Sequence, residues 1–201
     1  MFYGEKLFTV EQFVNKQNDR VWCRKRSSVD PDVFQATRRQ GPTSIMVWAR
    51  ITASGRTPLV FVPEEMKISA EVYRKSILQD CLVPWATNHF SGGSWVFQQD
   101  SAPAHNARMT QEWLRTSVPD FISTSQWPPY SPDLNPLEFS IWSILESKVC
   151  ATKHRSLDSL KHSLKREWER IPQEIMRKAV DAFMGRLDLV IRAKGGHIEN
   201  Y

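Results

Sequence analysis

The order of patterns along this chain predicts a mixed α/β sheet flanked by helices. Three observations carry that expectation. Short runs rich in β-branched and aromatic residues have the length and composition of strands, and segments with apolar residues at helical spacing lie between and after them. Alternation of this kind packs helices against a sheet. The composition of the 201 residues, 41% hydrophobic and 24% charged with 8 Gly and 12 Pro, suits one folded domain and excludes collagen-like, low-complexity and wholly disordered chains.

Taken in order, Ser44-Ile45-Met46-Val47-Trp48-Ala49 and Leu59-Val60-Phe61-Val62 flank the turn signal Ala53-Ser54-Gly55-Arg56 and predict a β-hairpin. Residues 69–85 carry Val72, Ile77, Leu78 and Leu82 on a helical pattern, with Ser69 as N-cap and Pro84 near the end. Ser91-Gly92-Gly93-Ser94 breaks the chain, and Trp95-Val96-Phe97-Gln98-Gln99 reads as a strand that delivers Asp100 at its C-terminal end. That is where ligand and catalytic groups gather in α/β folds. A helix from about Asn106 to Thr116 and a short strand at Phe121-Ile122-Ser123-Thr124 follow.

Asn135 suits an N-cap and Pro136 the first helical position, so a helix begins there with Leu137, Ile141, Ile144, Leu145 and Val149 on its apolar face. Ser156 caps the next, on which Leu157, Leu160, Leu164 and Trp168 keep the helical period until Pro172 ends it. The last carries Met176, Val180, Phe183, Leu187 and Ile191 and stops at Gly195-Gly196. The tryptophans sit mostly on apolar faces and read as core.

The net charge of +5 is unevenly placed: residues 1–60 hold ten Lys/Arg against five Asp/Glu, and the remainder is balanced. The densest part, Arg24, Lys25, Arg26, Arg38 and Arg39 with Trp22 nearby, would suit a phosphate backbone, although a solvated loop would look the same. A second basic stretch, from Lys148 to Lys178, has acids interspersed and reads as a solvated helix face. Cys23, Cys81 and Cys150 lie far apart with no C-x-x-C pair, which indicates neither a disulfide scaffold nor a zinc ribbon. The start lacks a signal-peptide pattern and no run approaches the ~18 apolar residues of a membrane span, so we expect a soluble intracellular protein without a membrane partner.

The most informative segments are Gln98-Gln99-Asp100-Ser101-Ala102-Pro103-Ala104-His105 and Tyr130-Ser131-Pro132-Asp133-Leu134-Asn135-Pro136-Leu137-Glu138. Together they resemble the catalytic domain of mariner-type cut-and-paste DNA transposases, of the DDE superfamily. The resemblance extends to Met46-Val47-Trp48, to Ser54-Gly55-Arg56-Thr57-Pro58-Leu59 and to Gly4-Glu5-Lys6-Leu7-Phe8, and so covers nearly the whole chain. It implies an RNase H-like core in which three carboxylates hold two divalent ions, Mg²⁺ or Mn²⁺, with no small-molecule cofactor. It further implies DNA as partner, a nuclear location and assembly as a homodimer on DNA.

On this resemblance Asp100 is the second carboxylate and Glu138 the third, with 37 residues between them. Hard cations take oxygen ligands, and paired ions suit in-line attack on a phosphodiester. Each residue also has a plainer role open to it. Glu138 stands three residues after Asn135, as the N3 member of a capping box would, Asp100 suits a turn after its strand, and His105 suits either substrate or metal contact or a hydrogen bond at a helix entry.

Gly4 stands where the family has its first Asp, so the chain is expected to be catalytically impaired, or else a non-catalytic DNA-binding remnant or decayed product. Rescue by neighbouring Glu5 is not expected, because successive strand residues face opposite sides. Ala49-Arg50 replaces the family's Gly-Ala, placing a charge beside a tightly packed hairpin. Compared with relatives, the first strand reads as cut short and the helix-turn-helix modules that recognise terminal repeats are not found in these residues.

Overall fold

In the computed structural model, which describes residues 1–11, 43–63, 68–151, 153–196 and 198, pairing starts at the N-terminus. Strand β1 (Phe2–Thr9) runs antiparallel to β2 (Ser44–Ile51), with Gly4 opposite Ala49 and Glu5 opposite Trp48. β2 in turn pairs with β3 (Val60–Pro63) as the expected hairpin. The connecting turn is closed by the Thr52 N–H donating to the Gly55 carbonyl at 2.8 Å.

On its other edge β1 meets β4 (Val96–Phe97) in parallel. The Gln98 N–H donates to the Met1 carbonyl at 2.9 Å, and the Tyr3 N–H to the Gln98 carbonyl at 3.2 Å. β4 pairs in parallel with β5 (Asp120–Phe121). The spatial order is therefore β3-β2-β1-β4-β5, with β1 central. Pairing with β4 stops at Tyr3, so among the described residues no strand pairs with that edge of β1 from Gly4 onward.

Alternation along β1 and β2 divides the core in two. Phe2 and Phe8, with Ile45, Val47, Ala49 and Ile51, pack on one face against the C-terminal helices. Tyr3 and Trp48 pack on the other, with Tyr73, Ile77, Phe97 and Leu114. Burial of each large side chain contributes about 1.5–3 kcal/mol, which orients the strand.

Helix α1 spans residues 70–90 and starts as expected, the Ser69 hydroxyl accepting from the Val72 N–H. Its middle, Tyr73–Leu82, has π-type pairing. The helix runs past Pro84 rather than ending near it. Val83 N–H still bonds five residues back, to Leu78, and Pro84 stands where this pairing reverts to the ordinary kind of Val83–Phe90. A residue without an N–H is tolerated at such a junction. Ser91 (φ 48°) then closes the helix. Arg50, on β2, is fully buried beneath α1: its Nη2 donates to the Ile77 carbonyl at 2.9 Å, while its Nε has no partner.

After β4 come α2 (Pro103–Asn106) and α3 (Arg108–Ser117), which together take the place of the one helix expected from 106. α4 occupies residues 137–149, its first turn Leu137–Ile141 again π-type. α5 (Leu157–Arg170) has the Ser156 hydroxyl accepting from the Ser159 N–H, and α6 is Gln173–Arg192. Leu137, Ile141, Leu145, Leu160, Leu164, Trp168 and Met176 are buried as their spacing demanded. Leu187 and Ile191 are not in that core, and Ile191 is 65% exposed. Among the described residues no helix is long and apolar enough to cross a membrane.

Candidate active site

The open edge of β1, the end of β4 and the start of α4 meet at a cavity of about 620 Å³. Asp100, Ser101, Glu5, Asn135, Glu138 and Tyr130 are among the residues that line it. Two carboxylates distant in sequence, Asp100 and Glu138, are thus brought to one cavity.

Asp100 arrives on the extended chain after β4 and serves the turn role as well. Its Oδ1 accepts from the Ala102 N–H at 3.0 Å and from His105 Nδ1 at 2.5 Å. Burial would push this carboxyl up, but the hydrogen bond and charge of His105, with the Ala102 N–H, hold it below the usual carboxylate range. Its side chain remains half-exposed, so it stays ionised with Oδ2 uncommitted to these bonds.

His105 is buried and does not line the cavity. Its ring lies between Tyr3 and Tyr73, at centroid distances of 5.0 and 4.2 Å. The Gln111 amide donates to its carbonyl at 2.9 Å, and Tyr73 OH donates to Gln99 at 2.6 Å. This packing makes His105 a positioning residue for Asp100.

Glu138 lies in the first turn of α4. Its Oε1 accepts from the Trp142 indole at 3.2 Å, while the Asn135 N–H bonds to Pro132, so the reciprocal arm of a capping box does not form. The cap is made by Asn135 alone, whose Oδ1 accepts from the Leu137 N–H at 3.1 Å and whose Nδ2 donates to the Tyr3 carbonyl at 2.7 Å. Burial pushes Glu138 up to about 7, with Asp100 and Glu5 adding like charge and Trp142 and Lys6 opposing.

Gly4 does not line this cavity. A Cβ built on it would lie 2.9 Å from Leu137 Cβ and 3.1 Å from Trp142 Nε1, so α4 packs into the space a side chain would need. The carboxylate that β1 does contribute is Glu5, which sequence reasoning had set aside. Alternation holds: Gly4 faces α4, and Tyr3 and Glu5 face the His105 side, where Tyr3 OH donates to Glu5 at 3.0 Å. The cavity straddles the open edge, however, so residues of both faces reach it. Burial raises Glu5 above its ordinary range, with His105 and Tyr3 opposing and Asp100 adding.

Carboxylate oxygens are the hard donors that Mg²⁺ and Mn²⁺ take, and in chemistry this set fits such ions. Among the described residues, no three of His, Cys, Asp and Glu converge closely enough to hold one ion. Arg24, Lys25, Arg26, Arg38 and Arg39 lie outside the described residues.

The sequence and the fold have known counterparts. The chain is 32% identical over 175 residues to the Tcb2 transposase of a transposable element of Caenorhabditis briggsae, covering 87% of this chain and 60% of the relative. To the Tc1 transposase of Caenorhabditis elegans it is 29% identical over 176 residues, covering 87% and 62%. It thus spans about three fifths of these relatives. Among solved structures it resembles the Mos1 transposase paired-end complex with left transposon end, with a TM-score of 0.80 at 18% identity over 98% of this chain and 55% of that one. The Mos1 catalytic domain with Raltegravir and Mn matches with a TM-score of 0.70 at 18% identity, covering 78% of each chain. The fold is therefore the RNase H-like α/β arrangement that the motifs implied. A family model described as DDE superfamily endonuclease matches residues 11–161, and this chain belongs to that family.

Proposed function

We propose that this chain is the catalytic region of a Tc1/mariner-type transposase, acting on DNA phosphodiesters with Mg²⁺ or Mn²⁺ held at Asp100 and Glu138. One observation carries the reading: two carboxylates with 37 residues between them, from the chain after β4 and the first turn of α4, line one cavity. The solved neighbours include Mos1 paired-end complexes with Mg and with Mn, which supports both metal use and DNA as partner. Nuclear location and assembly as a pair on DNA belong to the same proposal, as does the organisation of residues 1–201 as one domain.

When bound, paired ions would activate the attacking oxygen and stabilise the leaving one. Asp100 is held ionised by His105 and the Ala102 N–H, ready to ligate. Glu138, with its carboxyl raised to about 7, keeps a proton for much of the time near neutrality and must release it to ligate. Gly4 offers no oxygen, and Leu137 leaves no room for one without a shift.

A disabled nuclease that still binds DNA is the reading that Gly4 favours over an active one. Nicking of a labelled duplex in Mn²⁺ tests it, comparing the native chain, Gly4→Asp, and Gly4→Asp with Asp100→Ala. The native chain is expected not to cut. Weak cutting by Gly4→Asp that Asp100→Ala abolishes would establish an otherwise intact site, whereas Asp100-dependent cutting by the native chain would show that Gly4 is no impediment.

A further inference from the structure

At the mouth of the cavity, the loop between β5 and α4 holds Tyr130 in water at 96% exposure, the most of any large apolar side chain described. Its backbone is left-handed, with φ 53°. Two other non-glycine residues with positive φ are described: Ser91 closes α1 and Lys194 follows the end of α6, places where such a conformation serves the helix. Tyr130 ends no helix, and left-handed backbone is disfavoured for a residue with a Cβ. Tyr130 lies in the turn that follows Pro129, and among the described residues no ring or hydrogen-bonding contact covers its side chain.

The loop that presents the ring is stiff. Pro128, Pro129 and Pro132 fix their own φ angles around it. Trp127 is buried and stacked on Phe183 of α6, with centroids 6.3 Å apart and planes at 10°. Arg186 Nε donates to the Asp133 carbonyl beyond it. The backbone that carries the ring is therefore constrained on both sides, beside the cavity that Asp100 lines.

We propose that Tyr130 is a stacking platform for an unpaired base at a DNA end whose phosphate enters the cavity. The proposal rests on the reading of DNA as substrate. An open aromatic face accepts any base, because every base has a π face. Paired bases are already stacked on their neighbours, so the gain falls to an unpaired one. With the loop backbone already constrained, only the two side-chain torsions of the tyrosine remain to be ordered on binding.

Fluorescence anisotropy of the full chain in Ca²⁺, with a short blunt duplex and with the same duplex carrying an overhang of a few nucleotides, tests this. The native chain should prefer the overhang by about tenfold, from the usual range of base–aromatic stacking. Tyr130→Ala and Tyr130→Asn should lose that preference, Asn tolerating the left-handed backbone, while Tyr130→Phe should keep it. A preference that survives Tyr130→Ala, an equal loss for both duplexes, or no preference in the native chain would overturn the proposal while leaving DNA binding in place. Binding of neither duplex would overturn the DNA reading as well.

Discussion

Gly4 and Leu137 illustrate how one residue's absence is built into its neighbours. Because a Cβ at position 4 would stand 2.9 Å from Leu137 Cβ, Gly4→Ala is expected to destabilise the chain by about 1–3 kcal/mol in urea denaturation, as overpacking does. The same contact means that Gly4→Asp must displace α4 before it can restore a ligand. Glu138 makes a second prediction at this scale. Its folded carboxyl lies near 7, above the unfolded value, so the folded chain binds the proton more tightly and stability falls as pH rises from about 4.5 to 7. Thermal melts without divalent metal should show a decline on the order of 1–3 kcal/mol over that window. Glu138→Gln should flatten it, and Mn²⁺ should oppose it by favouring the ionised form.

At the scale of elements, the site depends on how α4 is tied to β1. Asn135 makes the joint: its amide serves the Tyr3 carbonyl on the open edge of β1, and its oxygen serves the Leu137 N–H at the start of α4. Asn135→Ala would leave both buried groups unpaired, at a cost of about 2–4 kcal/mol in denaturation. Asn135→Asp keeps the acceptor and loses the donor, so it should fall between Ala and the native chain. The first turn of this helix was legible in advance, from Asn135-Pro136 and the apolar spacing after them. Its π-type pairing was not, nor was that of α1, because widened turns reflect packing beneath the helix rather than side-chain period. Arg50, buried against the Ile77 carbonyl in the widened part of α1, is one such contact.

For the molecule as a whole, the sheet brings β1, β4 and α4 together while the excess positive charge lies in the first 60 residues. If Arg24, Lys25, Arg26, Arg38 and Arg39 all meet phosphates, affinity for a random duplex should fall about 500-fold between 50 and 200 mM salt, with a slope of about −4.5 on logarithmic axes. Replacing Arg24, Lys25 and Arg26 with Ala should reduce that slope by about 2.7. Binding that barely changes with salt, or a slope unmoved by the triple substitution, would place the phosphate contacts elsewhere.

What the chain alone determined is local and periodic. The hairpin around Gly55, the caps at Ser69, Asn135 and Ser156, and a strand shortly before Asp100 follow from short-range backbone chemistry, and two ordered motifs sufficed to point to the family. Tertiary structure decided which groups share the cavity. Period-two alternation correctly put Gly4 and Glu5 on opposite faces, yet it could not show that β4 stops pairing at Tyr3, leaving an edge that both faces can reach. Glu138 likewise satisfies the spacing of a capping box, yet its carboxylate accepts instead from the Trp142 indole, one turn along and packed on the core, and the residue lines the cavity. Contacts of this kind depend on where separate elements come to rest against one another, which no local pattern encodes.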